Sequence, residues 1–434
     1  MTIRFLHAAD IHLGFEQYGH KERYNDFARA FIHLADDAIQ RKVDFVLLAG
    51  DLFHKRSIDP QTLFQAVSNL DRLHEAGIPV IGVEGNHERP HYTESYSWLD
   101  FLVDTDRLVL LSPVYENQQL LLDKWEDNAG AYIDLPGGIR IIGVKYYGAS
   151  TPRVIDDLTR ALADMPGPRP AYTILMLHAG LQGILDNYSA TLTRAQLEPL
   201  REYVDYMALG HIHKPFIQDD WIYNPGSLET NSMSEAEWPE RGYFVVDVDP
   251  ARQPAHIVEQ VCCPRRAFER LYFPVDAYHQ PEELYAAFQS FIQAEATPER
   301  VACEPVVEVR LAGVLAFDRA ALDITRLEEQ VQAAFHPLIV RMRDDCAASE
   351  FEIVPLMGKT DRAELEKHVL RELIERDIRH RPNSEQWAEM VLQIKRMALA
   401  RSKPAEIVAE LRNLLNTMSE EESHADYAPG TGEL

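Results

Sequence analysis

The sequence predicts a layered α/β protein, and three observations carry that expectation. Short apolar runs rich in β-formers recur along residues 1–250: Ile3–Ala8, Phe45–Ala49, Val80–Val83, Ile141–Val144, Thr173–Leu177 and Tyr206–Leu209. Between the first two, Phe27, Phe31, Leu34 and Ala38 repeat at helical spacing, and between the second and third so do Leu63, Val67, Leu70 and Leu73. Strand–helix–strand alternation of this kind makes α/β layers. The third observation is that polar motifs follow the runs directly, and in open α/β sheets ligands bind beyond the carboxyl ends of strands.

The remaining chain reads as two further units and a tail. Residues 262–345 read as strand Phe268–Pro274, helix Pro281–Ala294, strand Pro305–Leu311, helix Ala320–Ala334 and strand Leu338–Met342, a small α/β domain. Residues 360–416 read as three helices, about Asp361–Ile378, Ser384–Leu399 and Pro404–Leu415, broken at His380-Arg381-Pro382-Asn383 and at Arg401-Ser402-Lys403-Pro404. Each carries an apolar stripe, including Leu365, Val369 and Leu373 in the first, Trp387, Met390, Val391, Ile394 and Met397 in the second, and Ile407, Val408, Leu411 and Leu414 in the third. The three could close on one another as a small bundle, but about 55 residues bury little core for their size, so these stripes suit a partner groove or coiled coil better. The acidic stretch 417–434 reads as a disordered tail.

Composition narrows the function classes. With 46% hydrophobic and 26% charged residues in 434, the chain is an ordinary globular one, expected to hold two to three domains. No apolar run reaches the roughly 18 residues of a membrane span, and the first residues lack a secretory h-region. The four cysteines, Cys262, Cys263, Cys303 and Cys346, form no CxxC and read as reduced core-filling thiols of a cytoplasmic protein. Forty-three basic against sixty-nine acidic residues give a net charge of −26. Work on phosphates must then draw positive charge from something other than the bulk surface, and metal ions are the obvious source.

Five motifs supply metal-type side chains at strand ends: Asp10-Ile-His12, Gly50-Asp51-Leu-Phe-His54, Gly85-Asn86-His87-Glu88, His178, and Gly210-His211-Ile-His213. The i, i+2 spacing in Asp10/His12 and His211/His213 aims both side chains at one centre where a strand opens into a loop. Mixed oxygen and imidazole donors favour Mn²⁺, Fe²⁺ or Zn²⁺. Seven candidate ligands (Asp10, His12, Asp51, Asn86, His178, His211, His213) exceed what one ion needs, and a carboxylate such as Asp51 can bridge two ions in a phosphoryl-transfer site. Gly50, Gly85 and Gly210 are expected to permit tight turns. His87, beside Asn86, is placed for proton transfer. Taken singly, an Asp-x-His or a strand-end histidine is usually structural; five in order are not.

In this order the motifs resemble the calcineurin-like metallophosphoesterases. More narrowly, DIHLGFEQY…ERYNDFARAF, GDLFHK, GNHE, LHAG, GHIHKP and NPGS look like the SbcD / Mre-eleven family, nuclease subunits of a double-strand-break repair complex. The resemblance is close over residues 1–250, rests on element order in the second unit, and is one of position and pattern in the helical end. It implies a β-sandwich flanked by helices with a capping domain. It also implies one Mn²⁺ on Asp10, His12, Asp51 and His213 and another on Asp51, Asn86, His178 and His211. His87 would stabilise the transition state or protonate the leaving oxygen, and His54, where related phosphatases carry an Arg-bearing loop, would position a DNA end. Asn224-Pro225-Gly226-Ser227 matches a family loop but, from its residues, reads only as a turn.

The expected function is therefore Mn²⁺-dependent DNA cleavage, 3′→5′ exonuclease on duplex and endonuclease on single strands and hairpins. The partner would be an SbcC/Rad-fifty-type coiled-coil ATPase gripped by 360–416, at the nucleoid. The stretch Tyr96–Leu102, rich in large apolar residues, either faces the core or pairs two copies in a homodimer. The alternatives are a phosphodiesterase or phosphatase on small nucleotides, which GDLFH and the added domains disfavour, and a DNA-end tether with secondary cleavage.

Overall fold

In a computed structural model, the described residues are 2–90, 96–185, 191–348, 362–375, 383–400 and 403–413. Two six-stranded sheets form the centre of residues 1–262. The first runs His256–Cys262, Gly242–Val248, Ile3–Ala8, Phe45–Leu48, Val80–Gly82 and Val109–Leu110; the second runs Phe216–Gln218, Ile222–Asn224, Tyr206–Gly210, Tyr172–His178, Ile139–Val144 and Tyr132–Leu135. Each has parallel strands at its centre and an antiparallel strand at one edge or both.

Alternation along the strands explains the layering. Phe5, Phe45 and Leu47 point between the sheets, where they meet Ile141, Ile174, Met176 and Tyr206 of the second sheet. Their neighbours Leu6, Ala8, Val46 and Leu48 point the other way, onto the helices Lys21–Arg41, Pro60–Glu75 and Trp98–Asp104. Leu175, Leu177, Met207 and Leu209 likewise cover the helix Thr151–Ala163. Both faces of each sheet are buried, which is why the strands read as unbroken apolar runs. The stripe Phe27, Phe31, Leu34, Ala38 is fully buried. Strands outside the six expected runs are mostly two to four residues long, too short to show a pattern; Gly242–Val248 is apolar but follows a long irregular stretch.

Residues 268–348 form a three-stranded parallel sheet, Phe268–Pro274, Val306–Leu315 and Ile339–Ala348, with helices Pro281–Glu295 and Ile324–Phe335. The element order is the expected one, with three boundaries shifted by four to six residues; the middle strand runs on from Leu311 to Leu315. Asp323, whose side chain accepts from the Arg326 N–H at 3.1 Å, starts the second helix later than Ala320. The last strand runs beyond Met342 to Ala348, because its polar residues lie on an open face. Arg266 ties this sheet to the long first helix through Asp26 at 2.8 Å, and the guanidinium of buried Arg23 lies over the Phe268 ring. Residues 1–349 cluster as one compact unit. Cys263 and Cys346 are buried, but Cys262 and Cys303 are exposed, so core filling fails for two of the four.

Residues 350–434 form the second unit. Helix Arg362–Glu375 pairs with Ser384–Leu399 through Lys367 to Glu385 (2.7 Å), Lys367 to Glu389 and Lys395 to Glu366, and residues 404–413 are helical. Met390 is buried while Val391 is exposed, so the expected single stripe on the second helix is divided; Leu373, Leu399 and Val408 are also exposed. The expected helix ends beyond 375 and 413, and the expected disordered tail 417–434, lie outside the described residues.

Candidate metal centre

The strand ends converge. Asp10 and His12 leave Ile3–Ala8 with φ of 53° and 54°, Asp51 follows Phe45–Leu48 with φ 55°, and His211 follows Tyr206–Gly210 with φ 95°. Four non-glycine residues in the left-handed region, each costing about 1–3 kcal/mol, are held there by their surroundings. The Asp10 N–H donates to the Gly50 carbonyl (3.1 Å) and the His12 N–H to the Asp51 carbonyl (3.0 Å), while the His211 N–H donates to the Asp10 carboxylate (2.9 Å).

Gly50, with φ 90°, serves the turn as expected, but Gly85 and Gly210 do so for another reason. A Cβ at Gly85 would overlap the Asp51 carboxylate, and one at Gly210 the Ala49 carbonyl. They are small because functional groups pass through the space a side chain would fill.

All seven expected ligands, with His87 and His54, meet in one continuous cluster. On one side His12 Nε2 lies 3.1 Å from His213 Nε2 and 4.0 Å from Asp51 Oδ2, and His213 Nε2 lies 3.8 Å from Asp10 Oδ1. On the other, His178 Nε2 lies 3.4 Å from Asp51 Oδ2 and 2.9 Å from Asn86 Oδ1, which is also 2.9 Å from His211 Nδ1. Asp51 Oδ2 lies between the two halves, and Asp10 also reaches both. His87 donates its backbone N–H to Asp51 (2.9 Å) and its Nδ1–H to the His54 carbonyl (2.6 Å), leaving Nε2 free for the cleft. His54 stacks on Phe15 at 3.8 Å and brings Nδ1 to 3.4 Å from His12 Nδ1.

The donor chemistry fits a cation. His178 Nδ1–H is committed to the Ala49 carbonyl at 2.7 Å, so its Nε2 turns a lone pair toward the oxygens of Asn86 and Asp51. Acceptors facing acceptors in a buried site need positive charge between them. The titration behaviour agrees. Burial alone would lower the His178 pKa, yet Asp51 and Asp10 raise it to about 9; burial would raise that of Asp51, yet His178 and His12 hold it well below the usual carboxylate range. Burial pushes His12 down and Asp10 up. A proton on His178 thus answers a demand that a divalent cation would meet more fully. Asp10/His12/His213 and Asp10/Asp51/His178 each converge closely enough to hold an ion, as do His12/His54/His87.

Several supporting residues lie outside the donor set, and two of them, Glu235 and Arg241, belong to no motif. Glu235 Oε1 lies 2.8 Å from His213 Nδ1 and fixes that ring; Arg241 in turn bonds Glu235 (2.9 Å) and Ser227 Oγ (2.6 Å). Asn224 Nδ2 donates to the carbonyls of Ile212 (2.6 Å) and Lys214 (3.0 Å), so Asn224–Ser227 is a brace for the His211–His213 loop, more than the turn its residues suggest. Glu88, quoted within GNHE but given no role, accepts from the N–H groups of Gly85, Asp51 and Phe53 at 2.9–3.2 Å, while burial and the Asp51 charge push its pKa to about 8. Only the intervening loops bring Glu235 and Arg241 to the ligands, so spacing could not reveal them.

Residues 3–215 match the family described as calcineurin-like phosphoesterase. Those residues form a calcineurin-like phosphoesterase domain, just under half of the chain. Its phosphoesterase domain carries the strand-end cluster as a divalent-metal site, and curated relatives extend the likeness. The chain is 31% identical over 245 residues to the DNA double-strand break repair protein Mre11 of Archaeoglobus fulgidus, covering 54% of this chain and 52% of that one. It is 29% identical over 305 residues to the Mre11 of Methanosarcina acetivorans (69% and 45%) and 29% identical over 314 residues to that of Halobacterium salinarum (71% and 70%). The chain thus spans about half the length of the first two. No helix among the described residues is long and apolar enough to cross a membrane.

Proposed function

We propose that this chain is a Mn²⁺-dependent DNA nuclease of the Mre11 kind, acting in double-strand-break repair beside the nucleoid with a coiled-coil ATPase of the Rad-fifty type. The observation that carries the reading is the single cluster joining all seven expected donors through Asp51, in a chain whose relatives are named as Mre11.

In this reading Asp10, His12, Asp51 and His213 hold one ion and Asp51, Asn86, His178 and His211 the other. The ions supply Lewis acidity at the phosphate and an activated water. His87, anchored through Nδ1, presents Nε2 to protonate the leaving oxygen, and His54 on its Phe15 stack positions a duplex end for 3′→5′ cleavage. The net charge of −26 leaves much of the grip on DNA to the partner. Exposed Leu373, Leu399 and Val408 in the helical unit suit that partner's coiled coil. Exposed Tyr96 and Trp98, beside buried Leu99 and Leu102, suit pairing with a second copy.

The test is cleavage of end-labelled duplex, hairpin and single-stranded DNA with Mn²⁺, beside a chromogenic phosphodiester and a phosphomonoester. Mn²⁺-dependent cutting of DNA, at least 10-fold faster than hydrolysis of the monoester, supports the reading. Preference for the monoester, or for free nucleotides, overturns it in favour of a small-substrate phosphoesterase; DNA binding without cutting favours a tether.

A further inference from the structure

Five of the six apolar runs singled out in the sequence end in metal-type residues, and the sixth does not. That strand, Ile139–Val144, lies parallel to Tyr172–His178 with Val144 opposite Leu177. Lys145 and Tyr146 therefore leave the second sheet at the same edge as His178. The Tyr146 N–H donates to the Glu84 carbonyl at 2.9 Å, which fixes the segment to the stretch leading into Gly85-Asn86-His87.

The Tyr146 ring centre sits 5.5 Å from that of His211 and 5.9 Å from that of His178. The side chain is half-buried. Lys145 turns away, toward the ring of Tyr147 and the charge of Glu84. At the other end of the cluster the aromatic surface is the Phe15–His54 stack, beside His12. The centre thus has an aromatic wall at each end. A phosphodiester has a nucleoside on each side.

We propose that Tyr146 is a stacking platform for the nucleoside on the side of the scissile phosphate away from His54. The inference rests on the nuclease reading and adds a substrate-positioning residue to it. Stacking suits this chain: every base has an apolar face, so the grip is sequence-tolerant and needs no basic surface, which a net charge of −26 makes scarce. A ring present only to wedge the two imidazoles would need no open face, whereas Tyr146 keeps part of its surface exposed.

The experiment is steady-state cleavage of a defined single-stranded oligonucleotide by full-length wild type, Tyr146→Phe and Tyr146→Ala, with an abasic residue scanned across the cut site and bound Mn²⁺ measured for each protein. Tyr146→Ala should keep its metal and raise KM roughly 5- to 100-fold, with a smaller change in kcat. Tyr146→Phe should stay within about 3-fold of wild type, since the ring does the stacking. One abasic position should impair wild type and leave Tyr146→Ala no worse, so that the two converge there. An unchanged KM in Tyr146→Ala, or a fall in kcat that is equal at every abasic position and accompanied by metal loss, overturns the platform and makes Tyr146 a support for His178 and His211. Wild type that cuts no DNA overturns the nuclease reading and this inference with it, whereas an unresponsive Tyr146→Ala beside active wild type overturns the platform alone.

Discussion

Two parallel α/β arrangements in this molecule treat their strand ends differently. In the small sheet of residues 268–348 the core is apolar throughout, built on Phe273, Phe288, Leu311 and Val331, and its buried carboxylate Glu308 is matched by Arg270 at 3.2 Å. In the larger pair of sheets the strand ends gather Asp10, His12, Asp51, His178 and His211, all buried, four of them (all but His178) in left-handed backbone. The small sheet follows the rules of a stable fold. The large one departs from them at its strand ends: left-handed non-glycine residues elsewhere, such as Lys42, Asp106 and His336, are exposed, whereas the four here are buried among facing acceptors, which marks chemistry better than the fold does.

The comparison is broken most directly at Asp51. Because its carboxylate lies within 4.0 Å of both His12 and His178, Asp51→Ala should lose most bound metal and abolish measurable cleavage; a variant that kept its full metal content would take Asp51 out of the ligand set. Next in size, His87→Ala should keep its bound metal, since no expected ligand changes, yet slow cleavage by about 10²–10⁴-fold. Near-normal turnover with full metal content would take His87 out of the mechanism.

In the small sheet the same kind of change should act on stability alone. Phe288, fully buried and edge-on to Phe273 at 5.1 Å, should cost about 3–5 kcal/mol on truncation to Ala, read as a lower denaturant midpoint. Metal content and hydrolysis of a small phosphodiester should be unchanged. A loss of metal in Phe288→Ala would show that the two regions are not separate in the way their cores suggest.

The smallest effect is a pH dependence beneath the metal centre. His7, between the Tyr206 hydroxyl (3.0 Å) and the Leu209 carbonyl (3.1 Å), has its pKa lowered by burial to about 3. Between that value and about 6.5 the unfolded chain binds a proton there that the folded chain does not. Its contribution is therefore fully present above about pH 6.5 and is lost as pH falls toward 3. For metal-free protein the loss between pH 7 and pH 4 should be on the order of 2–3 kcal/mol. In His7→Gln, which can keep a donor and an acceptor, the stability curve over that range should flatten by this amount. An unchanged slope would mean that His7 is charged in the fold.

Much of this was legible in the sequence because the information is local. Buried strands write themselves as unbroken apolar runs, as Phe45–Leu48 and Tyr172–His178 do, and a metal donor just past a run needs only the strand-end rule. Less was legible where one face is solvent. The last strand of the small sheet carries Arg341, Arg343 and Asp345 outward and was read six residues short. In the helical end, helix pairing buries Met390 and leaves Val391 out, a choice that a helical wheel cannot make.

The sequence by itself determined the layered α/β class, the five donor motifs and the phosphoesterase character of residues 3–215, since each is a matter of residue type, spacing and order. Only the tertiary structure decided which atoms face one another. Gly85 and Gly210 are required by groups 34 and 161 residues away, Asp51 and Ala49. His213 is oriented by Glu235, and Glu235 by Arg241. A strand that carries no motif, Ile139–Val144, delivers Tyr146 to the donors. The physical reason is that sequence periodicity reports whether a side chain is buried, while hydrogen bonding, charge and close approach depend on which distant segment is buried against it.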